Sequence, residues 1–398
     1  MPQADTPALL TDPMSVFAFL ALLVGTIFWV SETERFRKIF EVIPPVIYVY
    51  FLPMFATTLG ITPAASPAYA WMTRYLLPFA LLLLMISIDL KSVIRLGPIA
   101  LFMVLAGTAG IILGGPISLL IFKEFLPAEA WKGFAALSGS WIGGTANMVA
   151  IAESVGTPES EFGPIIVVDT VVGYGWMGVL LLLSGYQRRF DRWLGARTGA
   201  MEATNRRLEA LHRERHPVTL RDLAMMIGFG MAGAVVSVAL GGRLPRLGDP
   251  TIISGTTWAV LIVVTGGLIL SFTRLRELEK VGASGLGYTA LYLLLAGIGA
   301  QANLRAVVEA PLYLAAGAVW LSVHILILFG AARLVRAPLF FVATGSMANV
   351  GGAASAPVVA GVYHPAMAPV GLLMAVAGYV LGIYGALVCA WLLSLVGA

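Results

Sequence analysis

Apolar residues fall along the chain in long blocks separated by short polar stretches. Blocks of about 18 or more apolar residues have the length that crosses a hydrocarbon core of ~30 Å. The pattern predicts twelve membrane segments (within a range of about 10 to 13) over residues 14–31, 43–60, 74–90, 97–122, 129–155, 161–186, 222–240, 253–273, 284–302, 308–332, 338–361 and 366–396. We therefore expect an all-α polytopic membrane protein, since the strands of an outer-membrane barrel alternate apolar and polar residues over only ~10 positions.

Composition agrees with this fold class. Hydrophobic residues make up 59% of the 398 positions and charged residues 12%, against roughly 25% charged residues in soluble domains. The formal net charge of +4 indicates Lys- and Arg-rich loops at the cytoplasmic face. The lipid bilayer is the expected partner and nucleic acid is not. We expect a multi-pass protein of the bacterial inner (plasma) membrane. The single cysteine, Cys389, excludes an internal disulfide.

One polar stretch, residues 187–221, divides the chain into a first half (1–186) and a second half (222–398). It contains nine arginines and is predicted to be a cytoplasmic linker, with a lipid-binding or regulatory role as the alternative. Twelve segments would place 17 Lys and Arg on the side of the termini and eight on the other side. This asymmetry predicts that both termini are cytoplasmic, but it depends on the linker alone.

The two halves resemble each other in the order of their motifs. Pro164 matches Pro369 and Gly173-Tyr174 matches Gly378-Tyr379, in both cases 205 positions later. The predicted core helices of the two repeats cover about 74–186 and 284–396. Internal repeats are typical of secondary transporters, in which they are commonly inverted, and we expect an inverted repeat here. Matching segments are six apart, however, and an even offset gives parallel repeats, so both arrangements stay open.

Two apolar segments, the fifth and the eleventh, carry glycine pairs, at Gly143-Gly144 and at Gly351-Gly352. Glycine disfavours a helix interior by ~1 kcal/mol, and a backbone group freed inside a membrane needs another partner. We expect two discontinuous helices that cross at a polar site, although close helix packing is an alternative. The polar side chains predicted to line the site flank the glycines: Ser140, Thr145, Asn147, Ser346, Asn349 and Ser355.

Asp169 lies deep in the sixth segment, within VVDTVVGYG and next to Thr170. A carboxylate inside a membrane is costly unless it binds a proton or a cation. We therefore predict that Asp169 carries the coupling ion, either H⁺ or Na⁺, with Thr170 beside it; a carboxylate capped by nearby hydroxyls is the alternative. Three further positions are candidates for the site: Asp89, Glu153 and Asn303. His324 is predicted to be a buried histidine with satisfied hydrogen bonds.

The quoted motifs resemble the DUF819 (YjcL-like) family of membrane proteins. The resemblance rests on GSWIGGTANMVAIAESVG, on SMANVGGAASAPVVAG, on the aspartate in VVDTVVGY and on IDLKSVIRLGP. The family is grouped with cation:proton antiporter and anion transporter folds. The resemblance implies discontinuous crossed helices and a core domain beside a scaffold domain. It also implies that Gly143, Gly144, Asn147, Asp169, Asn349, Gly351 and Gly352 are site positions.

These features predict a secondary active transporter for a small anionic or zwitterionic organic solute, coupled to H⁺ or Na⁺ and working by elevator-like alternating access. One alternative is a cation/proton antiporter without an organic substrate. Another is an intramembrane enzyme, or a receptor or assembly protein that does not transport. Enzyme motifs and a nucleophile–base pair are missing from the sequence, so neither catalysis nor a cofactor is expected. Segments 1, 2, 7 and 8 are expected to form the scaffold or a homodimer surface.

Overall fold

A computed structural model describes residues 8–42, 45–196, 217–248, 251, 253–301, 310–364 and 367–397. Helices make up 83% of the described residues, which contain no strands. Eight of the described helices are long and apolar enough to cross a membrane, and a bent pair raises the number to nine. The fold class is therefore confirmed, whereas the count of twelve membrane helices is not.

The helices, in chain order, begin and end as follows: α1 Pro13–Glu32, α2 Arg37–Val42, α3 Pro45–Thr58, α4 Pro67–Trp71, a π-helical turn Met72–Leu76, α5 Leu77–Ile86, α6 Leu90–Arg95, α7 Pro98–Phe122, α8 Ala130–Val155, α9 Glu159–Ser184, α10 Gln187–Leu194, α11 Leu220–Gly241, α12 Gly255–Leu270, a 3₁₀ segment Arg274–Val281, α13 Ala283–Gln301, α14 Ala310–Val335, α15 Leu339–Val350, α16 Gly352–Tyr363 and α17 Ala368–Gly397.

Local sequence explains several of these helix starts. Proline occupies the first turn of α1, α4 and α7, where its missing N–H group costs nothing. Capping boxes at Thr219-Asp222 and Ser254-Thr257 start α11 and α12, because each side chain satisfies an N–H group that has no partner within the helix. Prolines and polar caps therefore mark the positions at which these helices begin.

The fifth predicted segment, α8, folds back on itself. Its backbone leaves helical geometry at Gly143 (φ −138°, ψ 15°) and Gly144 (φ 78°, ψ 178°). Just beyond its end, the Thr157 hydroxyl donates to the Lys132 carbonyl at 3.1 Å, whereas a straight helix of this length would separate its ends by roughly 39 Å. We call α8 hairpin 1; its tip is the pair Gly143-Gly144.

The eleventh segment is also a hairpin, formed by α15 and α16. Gly351 and Gly352 separate the two helices, and Gly352 has φ +62°. The direction of each arm follows from its neighbours on α17: Gly345 lies by Met374, Ala348 by Gly378, Ala356 by Gly371 and Gly361 by Ala368. The arm α15 thus runs parallel to α17 and the arm α16 antiparallel to it. We call this pair hairpin 2.

The hairpins differ from the crossed helices that the sequence analysis expects. The second glycine of each pair, Gly144 or Gly352, has positive φ. Glycine adopts this conformation without the strain that L side chains meet, so the chain can reverse there as readily as bend. Hydropathy shows the interruption but gives no information on the direction in which the chain continues. The two discontinuous segments are therefore confirmed as discontinuous, while their geometry is that of two hairpins.

Helix packing divides the molecule into two bundles. The core bundle contains α7, hairpin 1, α9, α14, hairpin 2 and α17, and the scaffold bundle contains α1, α3, α4, α5, α11, α12 and α13. The predicted core helices include segments 74–90 and 284–302, but α5 packs against α12 and α13 in the scaffold, and α13 also packs against α3. Small residues allow α5 to pack closely in the scaffold, since Gly267 of α12 and Gly287 of α13 lie against the α5 backbone or its β-carbons.

The described ends of the chain lie at one face of the bundle, and α10 lies at the other. The N–H groups of Leu9 and Leu10 donate to the carbonyls that follow α3, and Gly397 contacts Trp131 at the start of hairpin 1. Asp191 of α10 instead accepts from the N–H group of Leu339, at the start of hairpin 2 (2.7 Å). The expectation that both termini share a face with the linker does not fit this arrangement, because neither hairpin crosses the bundle.

Candidate functional site

The tips of the two hairpins meet at a cavity between the core and scaffold bundles. This hairpin cavity has a volume of about 630 Å³. The residues predicted from sequence that line it are Ser140, Gly143, Gly144, Thr145, Asn147, Asp169, Thr170, Gly351, Gly352 and Asp89. Most of the predicted site is thus brought together, although its two halves lie about 200 positions apart in the chain.

Asp169 of α9 faces hairpin 1 across the cavity. Its Oδ1 atom accepts a hydrogen bond from the Ser140 hydroxyl at 2.9 Å. Thr170 follows it on α9, and both residues are partly exposed to the cavity. The carboxylate therefore lies beside hydroxyl groups and the open turn of the hairpin, an environment in which a proton or a small cation can be bound and released.

Asn147 stabilises the tip of hairpin 1. Its Nδ2 atom donates to the Gly143 carbonyl at 2.7 Å, which satisfies one backbone acceptor that the interrupted helix frees. Its Oδ1 atom is buried and has no hydrogen-bond partner among the described residues. Gly382 of α17 provides the space, because a β-carbon at that position would lie 2.1 Å from Nδ2. A buried amide oxygen without a partner beside a carboxylate suits a bound cation.

Tyr379 of α17 joins the two tips, and the sequence analysis does not include it among the site residues. A β-carbon added at Gly144 would lie 3.0 Å from its ring, and one added at Gly352 would lie 3.3 Å from its hydroxyl. The same hydroxyl accepts from the N–H group of Ala353 at 3.0 Å. Its repeat partner Tyr174 also lines the cavity. The repeated Gly-Tyr pair is the sequence signal that points to both tyrosines.

Ser346 does not line the hairpin cavity, in contrast to the prediction. Its hydroxyl accepts from Trp176 Nε1 at 2.8 Å and lies 2.9 Å from His324 Nε2, while His324 Nδ1 faces the Gly107 carbonyl at 3.0 Å. These partners imply that Nδ1 carries the proton and that Ser346 donates to Nε2. The prediction that His324 is a satisfied buried histidine agrees with these bonds.

The Ser346–His324 contact is a pair of hydroxyl and imidazole that the sequence analysis does not anticipate. Such a pair is the minimal arrangement for nucleophilic catalysis. Ser346 is 1% exposed and His324 0% exposed, and neither belongs to the residues that line the cavities described here. The network therefore joins α7, α9, α14 and hairpin 2 as a packing element.

Asn349 and Ser355 also lie behind the tip of hairpin 2 instead of on the cavity wall. Asn349 Nδ2 donates to the Thr108 hydroxyl of α7 at 3.0 Å, and its Oδ1 atom is buried without a partner in the described part of the chain. Ser355 is 4% exposed and interacts with Tyr174. In a hairpin, residues on the outer side of the turn face the neighbouring helices, so proximity to the glycines in sequence does not guarantee exposure to the cavity.

Of the remaining candidates, Asp89 caps α6 at the mouth of the hairpin cavity. It accepts from the Ser92 N–H group at 3.1 Å and forms an ion pair with Arg276 of the 3₁₀ segment at 3.0 Å. Its repeat partner, Asn303, lies outside the described residues. The side chain of Asp89 thus has a structural role as a cap, and its ion pair connects α6 to the 3₁₀ segment.

Glu153, in the second arm of hairpin 1, faces a different cavity. This distal cavity of about 830 Å³ lies at the other end of the interface between the bundles, and its wall includes Arg74 and Glu159. Thr73 Oγ1 lies 3.5 Å from the Glu153 carboxylate. Glu153, a candidate for the site from sequence, therefore lines this distal cavity and not the hairpin cavity.

Metal ligation by a cluster of ionisable side chains has no support in the described part of the chain, where three or more His, Cys, Asp or Glu residues do not come together. Asp169 is the only carboxylate at the hairpin tips among the lining residues. A Na⁺ ion at Asp169 would therefore be bound mainly by hydroxyl, amide and backbone oxygens, which hard cations accept. That binding stays a prediction.

The fold and this site define a class: an integral membrane protein with several transmembrane helices and two opposed interrupted helices. The family described as "Protein of unknown function (DUF819)" matches residues 18–396, and the chain belongs to that family. It is also 26% identical over 339 residues to the "Uncharacterized membrane protein YjcL" of Bacillus subtilis (strain 168), an alignment that covers 83% of this chain and 85% of that protein. The resemblance noted from the motifs is confirmed.

Proposed function

We propose that the protein is a secondary active transporter of a small organic solute in the bacterial inner membrane. The observation that carries the proposal is the meeting of both hairpin tips with Asp169 in one cavity. Opposed interrupted helices offer N–H donors and carbonyl acceptors within the membrane, which is how several transporter folds bind solutes and coupling ions. Asp169 then carries H⁺ or Na⁺, and no enzymatic activity is proposed.

Alternating access is supported by the position of the two cavities. Both lie between the core and scaffold bundles, one by the 3₁₀ segment and the other by the loop that follows α8. A shift of the core bundle along the scaffold would carry the hairpin tips from one cavity toward the other. The bundles share few hydrogen bonds, among them those from Ser254 and Thr257 to the Ser154 carbonyl.

We propose an inverted repeat of two five-span halves, with α3 and α12 added to the eight long helices as crossings and the two hairpins not crossing. Each half then crosses the membrane five times, and an odd number of crossings inverts the second half relative to the first. Six segments per half would instead give parallel repeats. Among the described residues, 14 Lys and Arg lie toward the face of α10: Arg35, Arg37, Lys38, Lys91, Arg95, Arg188, Arg189, Arg192, Arg221, Arg274, Arg276, Lys280, Arg333 and Arg336.

Five of the described Lys and Arg residues lie toward the face opposite α10: Arg74, Lys123, Lys132, Arg243 and Arg246. The positive-inside rule then places α10 in the cytoplasm and the termini outside. To test this orientation, Arg189→Cys and Arg246→Cys are introduced separately into a Cys389→Ser background in intact cells. An impermeant thiol reagent is expected to label Cys at position 246 and to leave position 189 unlabelled until the cells are opened. Labelling of position 189 alone would contradict the orientation.

Transport itself is tested with purified protein in liposomes under an imposed H⁺ or Na⁺ gradient. Radiolabelled amino acids, betaines and small carboxylates are screened, and protein-free liposomes are the control. We expect at least one solute to accumulate only while the gradient persists and to leave when an ionophore collapses it. Equal uptake with and without either gradient for every solute would contradict coupled transport.

A cation/proton antiporter without an organic substrate is the second candidate. The oxygen-rich surroundings of Asp169, with the Ser140 hydroxyl bonded to it and the buried Asn147 amide oxygen nearby on hairpin 1, favour it. The same liposomes separate the two functions, because an antiporter would move H⁺ when NaCl or KCl is added alone. A symporter would move H⁺ or Na⁺ only when its solute is present. A homodimer through scaffold helices also stays a proposal.

A further inference from the structure

The charge of the hairpin cavity points to the chemical class of its solute. Its wall includes three carboxylates, Asp89, Asp169 and Glu279, and the described lining residues include neither Lys, Arg nor His. Arg276 offsets Asp89 through their ion pair, so the remaining ionisable groups that set the field in the cavity are the acidic side chains of Asp169 and Glu279. A simple anion would enter this field at a cost, whereas a cationic group would be attracted.

Four tyrosines share the cavity with these carboxylates. Tyr174 and Tyr379 belong to the core bundle, and Tyr288 and Tyr292 belong to α13 of the scaffold. The rings of Tyr288 and Tyr292 stack with centroids 6.2 Å apart. Tyr379 lies close to Tyr288, across the boundary between the two bundles. All four tyrosines therefore line the same cavity as the hairpin tips.

We propose that this cavity recognises an alkylammonium group, which the tyrosine rings hold in front of the hairpin tips. Aromatic faces attract cations through their quadrupoles, and quaternary ammonium ligands are bound in this way. The hairpin tips supply N–H donors in helix-start geometry, which suit a carboxylate. A zwitterion with an ammonium and a carboxylate group fits both parts. The inference rests on the proposed function and narrows its substrate.

Asn147 adds an independent observation at the same wall. Its Oδ1 atom is buried without a partner in the described part of the chain, and the residue lines the cavity. An amide oxygen is an acceptor only, so it favours a donor or a cation. Two polar groups of the cavity wall, the Asn147 oxygen of hairpin 1 and the Asp169 carboxylate of α9, therefore suit positive charge.

The experiment measures equilibrium binding to the purified full chain by calorimetry, without any gradient. The probes are glycine betaine and choline, each paired with the carbon isostere in which a quaternary carbon replaces the nitrogen: 3,3-dimethylbutanoate and 3,3-dimethylbutanol. Tetramethylammonium and acetate test the separate charges. We expect at least one ammonium probe to bind roughly tenfold more tightly than its isostere. Equal binding within each pair, tighter binding of the isosteres or absence of ammonium binding would overturn the proposal.

Tyr174 supplies matched variants, because it is the most exposed of the four tyrosines. Tyr174→Phe keeps the ring and should keep the affinity for the ammonium probe within about twofold, while Tyr174→Leu should weaken it roughly tenfold. Equal affinity of wild type and both variants would also overturn the proposal. Binding without gradient-driven uptake would contradict the transporter and leave this inference standing. Coupled uptake of anions without ammonium binding would contradict the inference alone.

Discussion

Asp169→Asn is expected to reduce gradient-driven uptake in liposomes to the level of protein-free vesicles. The amide has nearly the same shape as the carboxylate and can still accept from the Ser140 hydroxyl, so the fold should persist. It has neither a titratable proton nor a negative charge for a cation, and a carrier that cannot exchange its coupling ion cannot use the gradient. The measurement is initial uptake of the identified solute under the coupling gradient.

Two controls make this result specific. Glu124→Gln removes a carboxylate from an exposed position outside both cavities, and it should transport like the wild type. Solute exchange without a gradient should survive in Asp169→Asn, because exchange does not require net movement of the coupling ion. Unchanged gradient-driven uptake in Asp169→Asn would remove the carboxylate from the mechanism.

Gly144→Ala is expected to destabilise the protein and to abolish uptake. Gly144 has φ +78° and ψ 178°, a region that is essentially restricted to glycine and costs other residues about 1–3 kcal/mol. The new methyl group would also lie 3.0 Å from the Tyr379 ring, and Tyr379 joins the two hairpin tips. Thermal unfolding in detergent measures the stability, and liposome uptake measures the function of the protein that remains folded.

Gly156→Ala is the matched control for this substitution. Gly156 also has positive φ (+64°) and lies directly after the same helix, but an added β-carbon would meet no atom within 4 Å. It should lose about 1–2 kcal/mol of stability through backbone strain and retain uptake per folded molecule. If both variants lost uptake equally, strain alone would explain the result and the role of the tip would be contradicted.

The sequence predicts the composition of the site better than its geometry. Glycine pairs inside apolar blocks and an aspartate among valines are local signals, because each breaks a rule that a membrane imposes on a short stretch of chain. Gly143, Gly144, Asp169, Gly351 and Gly352 accordingly do line one cavity. The reversal of each hairpin depends on contacts between distant residues, as between Thr157 and Lys132, and hydropathy contains no such information.

The sequence also does not predict which side of its helix each polar residue faces. Ser140 and Ser346 both follow a glycine, but Ser140 lies three positions before Gly143 and Ser346 five positions before Gly351. Ser140 donates to Asp169, whereas Ser346 bonds with His324. The halves differ because Asp169 has Met374 as its repeat counterpart, and Met374 offers a hydroxyl no acceptor. Divergence between repeats thus decided which serine faces the cavity, and only the packed structure shows it.

In the proposed transport cycle, the core bundle moves against the scaffold bundle while the hairpin tips hold the solute. Ser154 of hairpin 1 and Thr257 of α12 meet across the two bundles, with the Thr257 hydroxyl 3.2 Å from the Ser154 carbonyl. The double variant Ser154→Cys/Thr257→Cys in a Cys389→Ser background therefore places one thiol on each bundle at this contact, and mass spectrometry quantifies the disulfide formed in the oxidised protein. Each single variant serves as the control for oxidation alone.

The measurement is gradient-driven uptake before oxidation, after oxidation and after reduction with dithiothreitol. We expect the cross-linked double variant to lose uptake, reduction to restore it and both single variants to be unaffected. The cross-linked protein should still bind the solute, since the hairpin cavity is distant from the link. Full uptake by a protein shown to be quantitatively cross-linked would contradict movement of the core bundle against the scaffold.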